Sequence, residues 1–413
     1  MSDTAIPPTA AGDDATRATR VVVVGNGMVG HRFCEELATR DDAPRFRLTC
    51  LGEESRPAYD RVHLTAVFSG TAAQALQLAD PAWYAAQDIG LELGDAVVAI
   101  DRAARRVRTA AGRQVDYDVL VLATGSAPFV PPIAGTDLAG VFVYRTIDDL
   151  DAIRAWSARA RRAAVIGGGL LGLEAAKAVL DLGLETHVVE FAPRLMPRQV
   201  DAGGGEVLRQ SIERLGVHTH LGVQTEAILA GDDGAVAGLR LSDGTLLPVD
   251  LLIISAGIRP RDELARAAGL AVGERGGIVV DTTLATSDPQ IFCIGESALA
   301  SGMIYGLVAP GYEMARTLAA RLCGEDARFT GADLSTKLKL LGIEVASFGD
   351  PSADETLGSA AHRVVVEDRG RGVYQKLIVS LDGRRLLGGV LVGDASPYPT
   401  LLAALRSGRA LPE

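Results

Sequence analysis

Two glycine clusters have the spacing to hold phosphate. GNGMVG occupies 25–30 and GGGLLG occupies 167–172. In the first, Gly25 permits a tight turn, Gly27 lets backbone N–H groups approach a pyrophosphate, and Gly30 allows close packing of the following helix. Met28 and Val29 fall in the same cofactor-binding stretch, and Glu53 and Glu54 stand where an acid can accept from a ribose hydroxyl. In the second, Gly167, Gly169, Leu170, Leu171 and Gly172 repeat the pattern, and Glu190 is its acid. A single glutamate there, with no adjacent arginine pair to receive a 2′-phosphate, favours NADH over NADPH, although Arg194 is close in sequence.

Such a loop binds a dinucleotide only if a strand precedes it and a helix follows, since the helix N-terminus supplies the free N–H donors. Val21, Val22, Val23 and Val24 form a β-branched run suited to a central parallel strand, and HRFCEELATR reads as the helix after the loop. A strand at 46–51 then closes a βαβ unit. The second copy has AAVI at 163–166, an Ala- and Leu-rich helix, and a strand at 186–189. The repetition continues. Each unit is followed by a hairpin, AAGRQ in one and LSDGTLLP with its Asp243-Gly244 turn in the other. Each hairpin leads to an apolar strand ending in small residues beside the ligand crevice: Ala123, Thr124 and Gly125 in one copy, Ser255, Ala256 and Gly257 in the other. Two dinucleotide sites in one chain imply electron traffic.

Composition narrows the alternatives. The 413 residues are 48% hydrophobic and 23% charged, with 41 Lys+Arg against 52 Asp+Glu and a formal charge of −11, so no nucleic-acid footprint is expected. Cys34, Cys50, Cys293 and Cys323 form no C-x-x-C pair, which argues against a local redox dithiol, zinc site or iron–sulfur site. Cys34 and Cys50 read as buried small apolar residues. His218 and His220 alternate on a strand but lack a third ligand, so no metal is assigned. The longest uncharged run, 119–136, is broken by Gly125, Pro128, Pro131 and Pro132, and no membrane span is expected. Residues 1–18 read as a loose tail without a secretion signal, which points to the cytoplasm.

With LATGSAP (122–128), GGGLLGLEAA, SAGIRP (255–260) and IFCIGE (291–296), the sequence resembles the two-dinucleotide-fold flavoprotein disulfide reductase superfamily. That resemblance implies FAD at the first fingerprint, a nicotinamide nucleotide at the second, and a nicotinamide domain inserted into the FAD domain. It implies that Glu296, after Gly295, takes the place of the acid bonding the FAD ribityl chain, where aspartate is commoner. It also implies that Glu174, in GLEAA, contacts the nicotinamide amide and is the catalytic residue. Val97, Ile258 and Val308 are counted among the cofactor contacts on the same resemblance, as is Arg61, which steadies the FAD phosphate or ring region or else forms a surface salt bridge. The stretch 57–64, PAYDRVHL, lacks the cysteine that disulfide-reducing relatives carry, so disulfide and peroxide chemistry are not expected.

AYDRVHL, FVYRTIDDL (142–150), RGGIVVDTTLATSDPQIF, GLVAPGYEMA and STKLKLLGIEVASFGD (335–350) look more closely like the flavoprotein portion of assimilatory NAD(P)H nitrite reductase large subunits. In that family iron–sulfur and sirohaem domains follow. With no cysteine beyond Cys323, this sequence carries no ligands for them, so nitrite reduction itself is not assigned to it. The resulting expectation is an α/β protein with two Rossmann-like domains, FAD-binding at 19–146 and 265–325 and NAD-binding at 147–264. A small α+β C-terminal domain at 326–413 would help cover the flavin and could form a homodimer interface. The expected activity is NADH-dependent reduction of an iron–sulfur or sirohaem acceptor protein. A rubredoxin or ferredoxin reductase serving an oxygenase, and a non-catalytic FAD- and NAD-binding sensing or assembly subunit, are the alternatives. Lys337 and Lys339 alternate on a strand, either facing an acidic acceptor or simply solvated.

Overall fold

A computed structural model describes residues 17–411; most of the expected tail, 1–16, lies outside the described residues. The chain forms two compact units. One contains residues 17–61, Ala73–Ala127 and Ile258–Ala332, and the other Val62–Ala72, Pro128–Gly257 and residues 333–411.

The first unit is built on a five-stranded sheet in the order Ile291–Cys293, Val119–Leu122, Thr19–Val24, Phe46–Gly52, Gly90–Leu93, with every pairing parallel. The valine run lies at its centre because parallel strands are covered on both faces: Val21 through Val24 are at most 6% exposed. Burying each contributes about 1.5–3 kcal/mol. The helix Met28–Arg40 follows the first strand and packs against the helix Val308–Leu322. The hairpin expected around AAGRQ is part of a three-stranded antiparallel excursion, Val97–Asp101, Arg106–Thr109 and Gln114–Asp116.

The second unit repeats the plan between residues 141 and 254. Its parallel sheet runs Val217–Leu221, Glu185–Glu190, Arg162–Ile166, Leu251–Ile254, Val141–Val143. A three-stranded meander, Thr225–Ala230, Val236–Leu241 and Leu246–Pro248, closes a core of Ala164, Ile166, Val189, Leu239 and Leu252. This sheet lies in sequence within the boundaries of the first unit, the insertion expected of the α/β fold class.

The same unit carries a five-stranded antiparallel sheet, ordered Thr336–Leu340, Ile343–Gly349, Leu386–Gly393, Val373–Ser380, Ala361–Asp368. The helix Tyr398–Ser407 packs on it. Its seat on the nucleotide-type half is polar: the Tyr374 hydroxyl donates to Asp201 Oδ2 at 2.8 Å, and buried Lys376 lies 3.1 Å from Asp201 and 3.2 Å from Asp354. A Cβ on Gly203 would come within 2.5 Å of the Tyr374 ring, so the glycine-rich start of the helix Ala202–Glu213 makes room for that ring. Among the described residues no helix is long and apolar enough to cross a membrane.

Candidate functional site

In the first unit, registers such as Val24 opposite Leu51 and Leu122, and Leu122 opposite Cys293, align the carboxyl ends of four strands. The loops that leave those ends therefore converge, as in other open parallel sheets with a ligand crevice. They carry Gly25–Gly30, Glu53–Glu54, Ala123–Gly125 and Gly295–Glu296.

The three fingerprint glycines are required for different reasons. Gly25 has φ +113, and its Cβ would lie 2.2 Å from the Ala123 carbonyl oxygen. A Cβ on Gly30 would lie 2.0 Å from the Gly25 oxygen. Gly27, the N-cap residue of Met28–Arg40, has an ordinary φ of −86, and no described atom lies within 4 Å of a Cβ there. The fold itself does not demand glycine at 27, and the open space lies against the helix N-terminus, where an anion would be received. That helix start has no side-chain cap, so its N–H groups are available to an anion. Asn26, between the two loop glycines, accepts from Tyr84 Oη at 2.9 Å, while its Nδ2 is buried without a partner among the described residues. The cradle thus fits a dinucleotide pyrophosphate.

Around it, Val29 packs between Gly295 and Gly311, and Met28 Sδ accepts from the Arg61 N–H at 3.4 Å. Glu53 forms an ion pair with Arg261 at 2.5 Å, and this hydrogen bond holds its carboxyl below the ordinary glutamate range. Glu54 accepts from Tyr59 Oη at 2.7 Å and pairs with Arg61, whose guanidinium lies over the Tyr59 ring. Arg61 is thus engaged in a salt bridge. Glu296 accepts from Ser126 Oγ at 2.7 Å, Thr124 Oγ1 donates to the Arg261 carbonyl, and the Gly125 carbonyl accepts from the Arg261 N–H. Val97 opens its strand, Ile258 opens a short strand beside Gly306, and Val308 is the first residue of its helix.

The second unit reproduces this geometry. Gly167 has φ +112 with a Cβ position 2.2 Å from the Ser255 oxygen, and a Gly172 Cβ would be 1.8 Å from the Gly167 oxygen. Gly169, the uncapped N-cap of Leu170–Asp181, again has an ordinary φ and no described atom within 4 Å of a Cβ. Leu170 and Leu171 form the first turn of that helix, and Gly257, φ +113, lies in the turn after the strand Leu251–Ile254. Glu190 is buried and accepts from the Gly168 N–H at 2.6 Å and the Ala192 N–H at 2.8 Å. The Arg194 guanidinium donates to the carbonyls of Val200 and Pro197.

Glu174, one turn into the same helix, is partly buried, and desolvation pushes its pKa up to about 7, with His63 opposing the shift. Beside it, Tyr144 Oη lies 3.0 Å from Thr65 Oγ1, and burial raises the tyrosine pKa. The segment carrying His63 and Thr65 lies more than a hundred residues upstream of Glu174, which is why the sequence pattern did not couple them.

Cys50 and Cys293 are poor nucleophiles. Cys34, Cys50 and Cys293 are buried; a hydrogen bond to Cys34 and burial raise the Cys50 pKa, and burial pushes the Cys293 thiol up to about 12. His218 and His220 do not stand alone: His187 Nδ1 is 3.2 Å from His220 Nε2, and its Nε2 is 3.3 Å from Glu185. Among the described residues no group of three or more ligating side chains could hold a metal.

The model of the pyridine nucleotide-disulphide oxidoreductase family matches residues 19–319. The chain belongs to that family. Its members bind FAD and NAD(H). Residues 335–409 of this oxidoreductase match the rubredoxin NAD+ reductase C-terminal domain. It is similar to the NAD(P)H nitrite reductase large subunit of Klebsiella oxytoca, 53% identical over 95% of this chain and 40% of that one. It is also similar to an assimilatory nitrate reductase electron transfer subunit of Bacillus subtilis (strain 168), 36% identical over 94% of this chain and 49% of the other. The oxidoreductase therefore spans half or less of these curated relatives. The ferredoxin reductase for the CYP199A2 system of Rhodopseudomonas palustris superimposes with a TM-score of 0.85 at 28% identity, covering 95% of this chain and 96% of that structure.

Proposed function

We propose that this chain is an NADH-dependent FAD reductase that delivers electrons to an iron–sulfur or sirohaem acceptor protein in cytoplasmic nitrite or nitrate assimilation. The observation that carries the reading is the pair of open positions at Gly27 and Gly169, each a glycine the fold does not need at an uncapped helix start. The likeness to a nitrite reductase large subunit and a nitrate reductase electron transfer subunit supports the choice of acceptor.

FAD is assigned to the first unit, held by Gly25, Gly27, Met28, Val29, Gly30, Glu53, Glu54, Arg61, Val97, Ala123, Thr124, Gly125, Ile258, Gly295, Glu296 and Val308. NADH is assigned to the second, held by Gly167, Gly169, Leu170, Leu171, Gly172, Glu190 and Gly257. The corresponding domains are 19–146 with 265–325, 147–264, and a C-terminal domain at 326–413. When bound, the flavin supplies the redox chemistry, taking up hydride as a pair and yielding electrons to an acceptor. Glu190, already bonded to two backbone N–H groups, retains lone pairs for a ribose hydroxyl and repels a 2′-phosphate. Arg194 is occupied by carbonyls and offers that phosphate no counter-charge, which favours NADH. Glu174 orients the nicotinamide carboxamide by accepting its N–H, and its ionisation near neutrality sets how strongly it does so.

Anaerobic NADH oxidation by FAD-loaded protein, with ferricyanide or nitrite as acceptor, tests the reading. Ferricyanide reduction without nitrite consumption is expected; nitrite consumption by this chain alone would overturn the acceptor assignment, and failure of NADH to bleach the flavin would favour a sensing subunit. The likeness to a ferredoxin reductase supports a second reading, in which the acceptor is a ferredoxin or rubredoxin serving an oxygenase. Comparing turnover with a ferredoxin and with a sirohaem protein separates the two.

A further inference from the structure

Phe191 follows the strand Glu185–Glu190 in the second unit, and its side chain is 72% exposed. Every other phenylalanine, tyrosine and tryptophan among the described residues is buried or half-buried. An aromatic ring left in water forgoes a large apolar gain, so its position calls for a cause.

The backbone on either side of Phe191 is anchored. Glu190 and Ala192 are buried, and the Ala192 N–H donates to Glu190 Oε1 at 2.8 Å. The Glu190 carbonyl accepts from the Val223 N–H at 3.3 Å, and the Ala192 carbonyl accepts from the Gly222 N–H at 3.0 Å. Further along the loop Leu195 and Met196 are fully buried, and the Met196 N–H donates to the Gly168 carbonyl at 2.9 Å. With its neighbours tied down and the core beneath the loop already filled, the ring is held out in water. The adjoining turn has glycine at 222, φ +70, so no side chain from that position stands beside the loop.

The covalent structure of a nucleoside shows what would reach this ring. The Phe191 Cα is one peptide, about 3.8 Å, from that of Glu190, the acid assigned to a ribose hydroxyl. In adenosine the base is attached to the carbon next to the one bearing the 2′-hydroxyl. A ribose bonded to Glu190 therefore brings its base within one side-chain length of Phe191. Purines stack on an aromatic face without any hydrogen bond to the base edge, so a phenylalanine suffices.

We infer, taking the second unit to be the one that binds NADH, that the Phe191 ring is the platform on which the adenine of NADH stacks. Glu190 then reads the ribose and Phe191 supplies affinity for the base. Since the base lies at the far end of the dinucleotide from the nicotinamide, the ring acts on binding and not on hydride transfer.

Stopped-flow reduction of the FAD-loaded full chain by NADH and by reduced nicotinamide mononucleotide, which lacks the adenosine half, tests this. Phe191→Ala should raise the apparent Kd for NADH about 5- to 150-fold with the limiting reduction rate unchanged. It should leave the second-order rate constant with the mononucleotide at the wild-type value. Phe191→Trp should keep NADH affinity, and Phe191→Leu, which retains apolar bulk without a π-face, should fall between wild type and Phe191→Ala. Because the side chain is exposed, these variants should fold normally, as flavin content and apoprotein Tm report. Wild-type NADH affinity in Phe191→Ala, or an equal loss with NADH and the mononucleotide, would overturn the inference while a bleached flavin leaves the assignment of NADH standing. A wild-type flavin that NADH does not bleach would overturn that assignment and the inference with it.

Discussion

Substituting Gly27→Ala separates what a ligand requires from what the fold requires, because Gly30 provides a control three residues away. At Gly27 the added methyl meets no described atom within 4 Å and φ is −86, so the apoprotein loses only the difference between glycine and alanine at an N-cap, about 0.5–1 kcal/mol. For a unit of this size that is a shift of about 1–4 °C in Tm. In the proposed FAD site the same methyl stands where the pyrophosphate would approach the helix N-terminus. Losing one charge-assisted hydrogen bond, worth about 1.5–3 kcal/mol, raises the FAD Kd by about 10- to 150-fold. At Gly30 the methyl would lie 2.0 Å from a backbone oxygen, so the helix must move, at an overpacking cost of about 1–3 kcal/mol or more. Gly30→Ala should therefore lower the apoprotein Tm more than Gly27→Ala does. Thermal unfolding of apoprotein by circular dichroism and fluorescence titration with FAD read the two effects independently. Wild-type FAD affinity in Gly27→Ala, or an apoprotein Tm lowered as far as in Gly30→Ala, would refute the reasoning.

Gly169→Ala should weaken NADH by a similar factor while FAD stays bound, measured by NADH titration of the flavin-loaded protein. Glu190→Ala should also weaken NADH and spare FAD; unchanged NADH affinity would contradict its role. The Glu174 pKa is raised from the ordinary 4.5 to about 7, so the folded state holds the extra proton between these values and this residue makes stability fall as pH rises from 4.5 to 7. Glu174→Gln should remove that slope in pH-dependent unfolding. Because the carboxylate is the better acceptor for the carboxamide, flavin reduction by NADH should also rise with a midpoint near pH 7 in the wild type and not in Glu174→Gln. Lys376→Met leaves Asp201 and Asp354 without their buried cation and should cost about 3–5 kcal/mol in denaturant unfolding; a change under about 1 kcal/mol would show that the cluster is not a stabilising latch.

The two fingerprints, the strands before them, the acids after them and the internal repeat were legible in the sequence. They are local: a valine run, a positive-φ glycine and a helix start each follow from residues only a few positions apart, through steric limits on φ and ψ and the two-residue period of a strand. The same locality made an α+β C-terminal domain recognisable, and its strands include Ala361–Asp368 and Val373–Ser380. Sequence could not show which of these segments would meet. Ser126 reaches Glu296 because the strands before them, Val119–Leu122 and Ile291–Cys293, are parallel neighbours, and Arg261 reaches Glu53 from the end of a short strand, Ile258–Pro260, that pairs with Ser126–Pro128 from far away in the chain. The partially buried surroundings of Glu174, the cluster of His187 with His220, and the fit of Tyr374 against Gly203 have the same origin. Local geometry thus determined which elements form and where the two glycine turns open onto uncapped helix starts. Long-range pairing, governed by how strands stack side by side rather than by neighbours in the chain, decided each functional side chain's partners.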